Sequence, residues 1–175
     1  MALRNILTGD EPRLRKKSRV VTDFDKRLHV LIDDMRETLV NANGLGLAAP
    51  QIGVLRKVAL VVDINTDTEP ATETVIELIN PEIIERIGTQ DGTEGCLSLP
   101  GVYGFVCRPE TVIIRAHDRF GKEFELTCNG LTARAVCHEV DHLDGIIFTT
   151  LTDHTLTEEQ LDKLLAENAA MKEVG

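Results

Sequence analysis

The segment His138-Glu139-Val140-Asp141-His142 is the strongest chemical signal in the sequence. On a helix, residues i and i+4 project from the same face one turn apart, so the two imidazoles can bind one metal ion. Glu139 would point about 100° away from His138, close enough to reach a water molecule bound to that metal. The pattern also occurs by chance in unrelated helices, where the histidines are ordinary core or surface residues.

The residues around this motif favour a helix. Leu131, Ala135, His138 and His142 are separated by four, three and four positions, which places them on one face. The two histidines therefore continue a buried stripe instead of facing water. The sequence predicts a helix over about 131–144, ended by a glycine.

A third metal ligand is needed, because a catalytic site usually has three protein ligands and one open position. The extended metzincin pattern continues with another histidine, but this chain has Phe148 there, which cannot bind a metal. Acidic residues in the first turn of a later helix are explained by the helix dipole alone. The downstream candidates are Glu158, Glu159, Glu167 and His154.

Cys96 is an upstream alternative. It lies in Glu94-Gly-Cys-Leu-Ser98, among glycines that let the backbone approach a metal or a substrate closely. A thiolate is a strong ligand for zinc or iron(II). An isolated cysteine is more often a small buried apolar residue, which is our interpretation of Cys107, Cys128 and Cys137.

Composition limits the class of protein. The chain has 175 residues, of which 42% are hydrophobic and 27% charged, which suits a single domain spanning 1–175. It has neither a run of about 18 apolar residues nor the apolar stretch of a signal peptide, so we expect a cytoplasmic location. The net charge of −10 provides no overall field for nucleic acid or an anionic membrane.

The remaining patterns predict an α+β fold. A first helix falls within 21–43, where apolar residues recur every three or four positions, and Thr22 or Asp23 can cap its start. A polar loop is expected at 65–72, and a C-terminal helix at about 157–172 begins with a Thr157–Gln160 capping-box pattern. Strands are expected at 57–64, 75–85, 111–118 and 122–127.

This order of elements favours mostly antiparallel sheets over alternating βαβ units. The helix that carries the two histidines would then be the central metal-binding helix, and the sheets would pack around it. One helix would precede it near the N-terminus and one would follow it at the C-terminus.

Three segments together resemble the signature motifs of the peptide deformylase family: Gly44-Leu-Gly-Leu-Ala-Ala-Pro-Gln51, Glu94–Ser98 and His138–Gly145. They occur in the family's order and at similar spacings. The likeness begins at Gly9-Asp-Glu-Pro-Arg-Leu-Arg15 and extends to about Thr150, which covers most of the chain. The resemblance implies a hydrolase that removes the N-formyl group from the initiator methionine of new polypeptides and releases formate.

By matching motif positions, the resemblance implies that Cys96, His138 and His142 bind the metal. Metal-bound water or hydroxide would attack the formyl group, with Glu139 as general base and then general acid. The family's metal is usually iron(II), which is the metal we expect, and zinc, nickel or cobalt can replace it.

The resemblance also implies an oxyanion site and a methionine pocket. The Gln51 side-chain amide and the Leu97 backbone N–H would hold the developing oxyanion. Tyr103 stands where some members have arginine, which puts the affinity for the peptide backbone in doubt. The expected substrate contacts are Gly44, Gly46, Leu47, Tyr103, Leu131 and Ala135.

Two arginines are expected near this site. Arg108, on a predicted strand, would pair with Glu94 or Asp141 and so support the metal motifs. Arg134 would either border the pocket or face solvent. The implied partners are formyl-methionyl nascent polypeptides, including those at the ribosome, and neither nucleic acid nor a membrane is expected as a direct partner.

Two other functions compete with this interpretation. A metallopeptidase with a downstream third ligand would tolerate Cys96→Ala, whereas the deformylase interpretation predicts loss of metal or activity. A non-catalytic binding module would keep the metal for structure, but structural zinc sites normally have four protein ligands, and three are convincing here.

Overall fold

The computed structural model describes residues 2–65 and 72–173, so most of the polar loop predicted at 65–72 lies outside the described residues. Within these ranges the chain forms three α-helices and eight strands. In chain order they are α1 (Lys26–Asn41), β1 (Gly46–Ala48), β2 (Val58–Asn65), β3 (Thr72–Ile87), β4 (Gln90–Cys96), β5 (Leu99–Arg108), β6 (Thr111–His117), β7 (Glu123–Asn129), α2 (Gly130–Leu143), β8 (Thr155–Thr157) and α3 (Glu158–Glu173).

The strands form two antiparallel sheets, which confirms the predicted α+β class. A five-stranded sheet has the order β1-β2-β3-β6-β7, and a three-stranded sheet has the order β4-β5-β8. Strand β3 runs through Asn80-Pro81, as the sequence predicts, and extends beyond the predicted 75–85 at both ends. Its register against β6 shifts between Ile79 and Glu82, and Asn80 has a φ of 51°, so the irregular pair is absorbed as a bulge.

The five-stranded sheet lies between α1 and α2. Successive side chains of a strand point to opposite faces. On β2, Val58 and Leu60 therefore join the apolar cluster of α1, while Ala59 and Val61 join the apolar cluster of α2. This alternation explains why β2 is continuously apolar over 58–62, since both of its faces are covered.

Helix α1 begins later than either predicted cap allows. Its N-cap is Asp25, whose carboxylate accepts hydrogen bonds from the N–H groups of Arg27 (2.9 Å) and Leu28 (3.0 Å). Thr22 and Asp23 were the predicted caps, and that prediction is wrong. The chain before Asp25 is held out of the helix because the Val21 N–H bonds the Asn80 side chain at 2.8 Å.

Helices α2 and α3 begin where the sequence predicts. Helix α2 starts and ends within one residue of the predicted bounds. At the start of α3, the Thr157 N–H donates to Gln160 Oε1 (2.8 Å) and the Gln160 N–H donates to Thr157 Oγ1 (3.3 Å), as a capping box requires. Among the described helices, none combines the length and the apolar composition needed to cross a bilayer.

Candidate active site

Helix α2 and the end of β4 bring three potential metal ligands together. One ligand atom from each of Cys96, His138 and His142 lies within 4.8 Å of the others. The Cys96 Sγ and the His142 Nε2 are 3.2 Å apart. This is the one such group of at least three His, Cys, Asp or Glu side chains within 2–65 and 72–173.

The other candidate third ligands lie elsewhere. Glu159 and Glu167 are exposed on α3, and His154 is exposed in the segment before β8. Glu158 reaches the border of the cavity described below but is not part of the cluster.

Glu94 holds the ring of His138 in place. The Glu94 Oε2 lies 2.9 Å from His138 Nδ1, which leaves Nε2 facing the cluster. Glu94 also accepts hydrogen bonds from Arg108 at 2.8 and 2.9 Å and from Arg134 at 3.0 Å. Arg108 reaches Asp141 as well, at 2.6 Å, so it pairs with both predicted acids. Arg134 is buried in this network and does not face solvent.

The network favours a positive charge at the His138 ring. Burial raises the pKa of Glu94, but the hydrogen bonds and charges of Arg108 and His138 outweigh burial and lower the pKa to about 2, so this carboxyl is ionised. Burial lowers the pKa of His138, while Cys96 and Glu94 raise it to about 10. Burial and the neighbouring His138 lower the pKa of His142 to about 3, which keeps its imidazole neutral and its lone pair available. Such surroundings suit a bound cation.

Glu139 is placed to carry a proton. Its side chain is buried, and a Cβ on Gly46 would overlap its carboxylate, so any larger residue at position 46 would have to push that carboxylate aside. Burial raises the pKa of Glu139 to about 7. Its Oε2 has no hydrogen-bond partner among the described residues. A carboxyl with a pKa near the working pH can both accept and return a proton.

Gln51 points its amide at the cluster. The Ala48 N–H donates to Gln51 Oε1 at 2.8 Å, which orients the amide so that Nε2 faces Ser98 Oγ (3.2 Å) and Cys96 Sγ (3.5 Å). Gln51 is only 1% exposed. No role for Ser98 follows from the sequence alone, although it lies in the same motif as Cys96. Leu97 and Ser98 form the two-residue turn between β4 and β5.

A cavity of about 490 Å³ opens above these groups. Its lining includes Gln51, Cys96, Leu97, His138 and Glu139. Five of the six expected substrate contacts also line it, namely Gly44, Gly46, Tyr103, Leu131 and Ala135.

Leu47, the sixth expected contact, lies elsewhere. Its side chain is fully buried in the apolar cluster of α1, because the alternation along β1 turns Gly46 and Ala48 toward α2 and Leu47 away from it. The expectation that its side chain borders the pocket is wrong.

Comparison with known proteins gives a consistent result. The family model described as "Polypeptide deformylase" matches residues 3–157. A peptide deformylase of Caldicellulosiruptor bescii is 52% identical over 163 residues, which cover 93% of each chain. Peptide deformylase 1 of Bacillus subtilis is 47% identical over 161 residues, covering 92% of this chain and 97% of that protein.

Solved structures are similar as well. A peptide deformylase from Legionella pneumophila has a TM-score of 0.79 and 41% identity, with 96% of this chain and 98% of that chain covered. A class I type b peptide deformylase from Acinetobacter baumannii with Met-Ala-Ser bound has a TM-score of 0.78 and 34% identity, with coverages of 85% and 98%.

Proposed function

Since the chain belongs to the polypeptide deformylase family and is a hydrolase that removes the N-formyl group from nascent polypeptides, we propose how its own residues carry out that reaction. Cys96, His138 and His142 hold the metal, and Glu139 carries the proton. The observation that supports this assignment is the convergence of three ligand atoms within 4.8 Å, beside the buried Glu139, whose Oε2 has no hydrogen-bond partner among the described residues.

The donor set fits a divalent transition metal. One thiolate and two imidazoles suit iron(II), zinc, nickel or cobalt better than magnesium or calcium, which prefer oxygen ligands. The ionised Glu94 behind His138 raises the basicity of that ligand. We propose iron(II) as the resident metal, on the strength of this donor set and the family resemblance. Metal analysis of protein purified without oxygen tests the identity.

The chemistry needs a nucleophile, a proton carrier and donors for an oxyanion. When bound, a divalent metal supplies a water acidic enough to attack an amide near neutral pH. Glu139 takes a proton from the water, and it returns the proton to the nitrogen as the C–N bond breaks. Gln51 Nε2 and the Leu97 N–H donate to the carbonyl oxygen as its charge develops. Formate and a free N-terminal amine are the products.

The cavity selects a methionine start. We propose that the methionine side chain packs between Tyr103, Leu131 and Ala135, with the peptide running out past Gly44 and Gly46. The Acinetobacter baumannii relative holds Met-Ala-Ser, which is the product of deformylating a peptide of this kind. We further propose that residues 1–175 act as one catalytic domain in the cytoplasm, on nascent chains at the ribosome.

Formate release from formyl-Met-Ala-Ser, measured without oxygen with iron or with nickel in the site, tests this function. Glu139→Gln should lower turnover about 10²- to 10⁴-fold while the metal stays bound. Cys96→Ala should lose the metal. Loss of metal from the Glu139→Gln protein would contradict the role given to Glu139, and absence of formate release by metal-loaded protein would contradict the assigned site.

A further inference from the structure

The segment before α1 forms hydrogen bonds with Gln51, with the turn that follows Cys96, and with helix α2. Residues 7–18, here named the N-terminal strap, include the Gly9–Arg15 pattern that the sequence comparison with the family picks out but that the mechanism does not use. The Leu7 N–H donates to the Gln51 carbonyl at 2.7 Å, and the Gly9 N–H donates to the Ser98 carbonyl at 2.9 Å. At its far end, the Ser18 N–H donates to the Leu143 carbonyl of α2 at 2.8 Å.

The first two of these bonds attach the strap to the two segments that carry the proposed oxyanion donors. Gln51 carries one donor on its side chain, and Ser98 directly follows Leu97, whose N–H is the other. Leu7 and Gly9 are two residues apart, so the chain between them spans at most about 7 Å. The Gln51 Nε2 to Ser98 Oγ hydrogen bond of 3.2 Å links the same two residues on the other side. The strap therefore fixes how far apart the two backbones can move.

The strap is itself firmly seated. Leu14 is fully buried with Val106, Ile147 and Phe148, and the Phe148 ring stacks on His138 with centroids 5.9 Å apart. Gly145 lies so close to the strap that an added Cβ would sit 2.6 Å from the Arg15 carbonyl group. These contacts tie the position of the strap to the helix that carries the two histidines.

We propose that the N-terminal strap is a positioning element for the oxyanion site. Its Leu7 and Gly9 amides hold the Gln51 side chain and the Leu97 N–H at the separation that the developing oxyanion needs. The proposal rests on the oxyanion roles assigned above to Gln51 and Leu97. Because those donors act on charge that develops only in the transition state, loosening the strap lowers kcat and leaves KM and metal content nearly unchanged.

Gly9 allows a clean test. Its φ is +68°, and the space where a Cβ would lie is open, so a substitution there strains the backbone without a clash. Valine strongly disfavours this conformation, whereas asparagine tolerates it, as Asn43 and Asn80 do at φ values of 50° and 51°. Gly9→Val should lower kcat about tenfold, since small misplacements of catalytic groups have effects of this order. Gly9→Asn should stay within about twofold of the wild type.

Gly88 provides the matched control. It has a φ of +65° in the turn between β3 and β4. Gly88→Val introduces similar backbone strain away from the cavity, with an added tight contact of 3.1 Å to the Glu110 Cβ, so it should lower thermal stability at least as much while kcat stays unchanged. Affinity for the product Met-Ala-Ser, measured by calorimetry, should be the same for the wild type, Gly9→Val and Gly88→Val proteins. If Gly9→Val does not fold, Gly9→Ala replaces it, because its methyl group has room.

A double-mutant cycle with Gln51→Ala decides whether the strap acts through Gln51. Gln51→Ala should lower kcat about 10²- to 10³-fold, and adding Gly9→Val should then have much less than its tenfold effect. If Gln51→Ala leaves kcat unchanged, the proposed oxyanion role of Gln51 is wrong. If Gln51→Ala lowers kcat but Gly9→Val behaves like Gly88→Val, or if the two effects multiply, only the strap proposal is overturned.

Discussion

The two faces of α2 are built in opposite ways. Toward the five-stranded sheet, α2 packs apolar side chains such as Ala133 and Val136 against Leu78 and Ile114. Toward the three-stranded sheet it places charged side chains in a buried network around Glu94. Apolar contacts stabilise a fold in proportion to buried area, and they tolerate replacement by other apolar side chains of similar volume. Buried charges cost desolvation energy, and their value is the fixed geometry that they impose on the ligands.

The largest effect should come from breaking the charged face. Arg108→Leu removes the two-hydrogen-bond partner of Glu94, which keeps only Arg134 and His138, and it leaves Asp141 without its ion pair. The free energy of unfolding should therefore fall by about 3–5 kcal/mol. Metal affinity should also fall, because Glu94 is then held by Arg134 alone among the arginines. Chemical denaturation and metal analysis measure the two effects.

The same substitution at Arg115 is the control. Arg115 pairs with Glu125 at 2.8 Å on the exposed face of the hairpin of β6 and β7. Arg115→Leu should change the free energy of unfolding by less than about 1 kcal/mol. Equal effects of the two variants would contradict the distinction between the faces of α2.

A cavity on the apolar face should lower stability alone. Leu78 on β3 is fully buried against α2. Leu78→Ala should reduce the free energy of unfolding by about 2–5 kcal/mol. At a temperature where the variant stays folded, its metal content and kcat should match the wild type. Loss of metal from the folded variant would mean that the apolar face also positions the ligands.

Removing one charge without changing shape sharpens the comparison. Glu94→Gln keeps the size of the side chain but removes the ionised acceptor behind His138. Metal affinity, measured by competition with a chelator, should fall about 10- to 100-fold. Asp141→Asn is the control because it contacts Arg108 but no proposed ligand, and it should reduce affinity less. Unchanged affinity in Glu94→Gln would show that Glu94 does not tune the site.

The smallest effect is expected at an ion-pair group on the other side of the molecule. Glu77 on β3 pairs with Arg36 at 2.8 Å and Arg119 at 2.9 Å. Burial raises the pKa of Glu77, but the hydrogen bonds of Arg119 and Arg36 lower it more, so the pKa lies below 4.5. A carboxyl of lowered pKa stabilises the folded state above its unfolded pKa, and this contribution is lost as the pH falls through the folded pKa.

Glu77→Gln removes that titration. The variant should be less stable than the wild type at neutral pH, and the difference should shrink below about pH 4.5. Thermal unfolding at a series of pH values measures it, and metal content should not change. A constant difference across the acid range would rule out this source of pH dependence.

The sequence predicted helices α2 and α3 correctly because the signals for both lie within a few residues of each other. The spacing of four between His138 and His142 indicated a helix, and Thr157 with Gln160 indicated its successor. The hairpin of β4 and β5 was the hardest part to predict, because its glycines weaken strand propensity. Neighbours explain them: Arg134 occupies the space of a Cβ at Gly92, and Tyr103 that at Gly95.

Contacts that depend on distant parts of the chain could not be found from patterns. The Glu94–His138 bond joins residues 44 positions apart, and nothing local indicates which acid lies behind the ligand. Thiolate chemistry and the flanking glycines made Cys96 a candidate ligand, but only the family resemblance selected it over the downstream alternatives, since a single cysteine has no periodicity. The cap of α1 was missed for the same reason, because Asn80 holds the preceding residues from another strand.

The close approach of Gly46 to Glu139 has a consequence for how this cavity can change over evolution. Any side chain at position 46 would displace the carboxylate that we propose carries the proton, so the floor of the cavity cannot be altered by simple replacement there. The border is different: Leu131 is 52% exposed and has room to vary. An inhibitor that contacts the floor of the cavity would therefore meet a surface that resistance substitutions can hardly change.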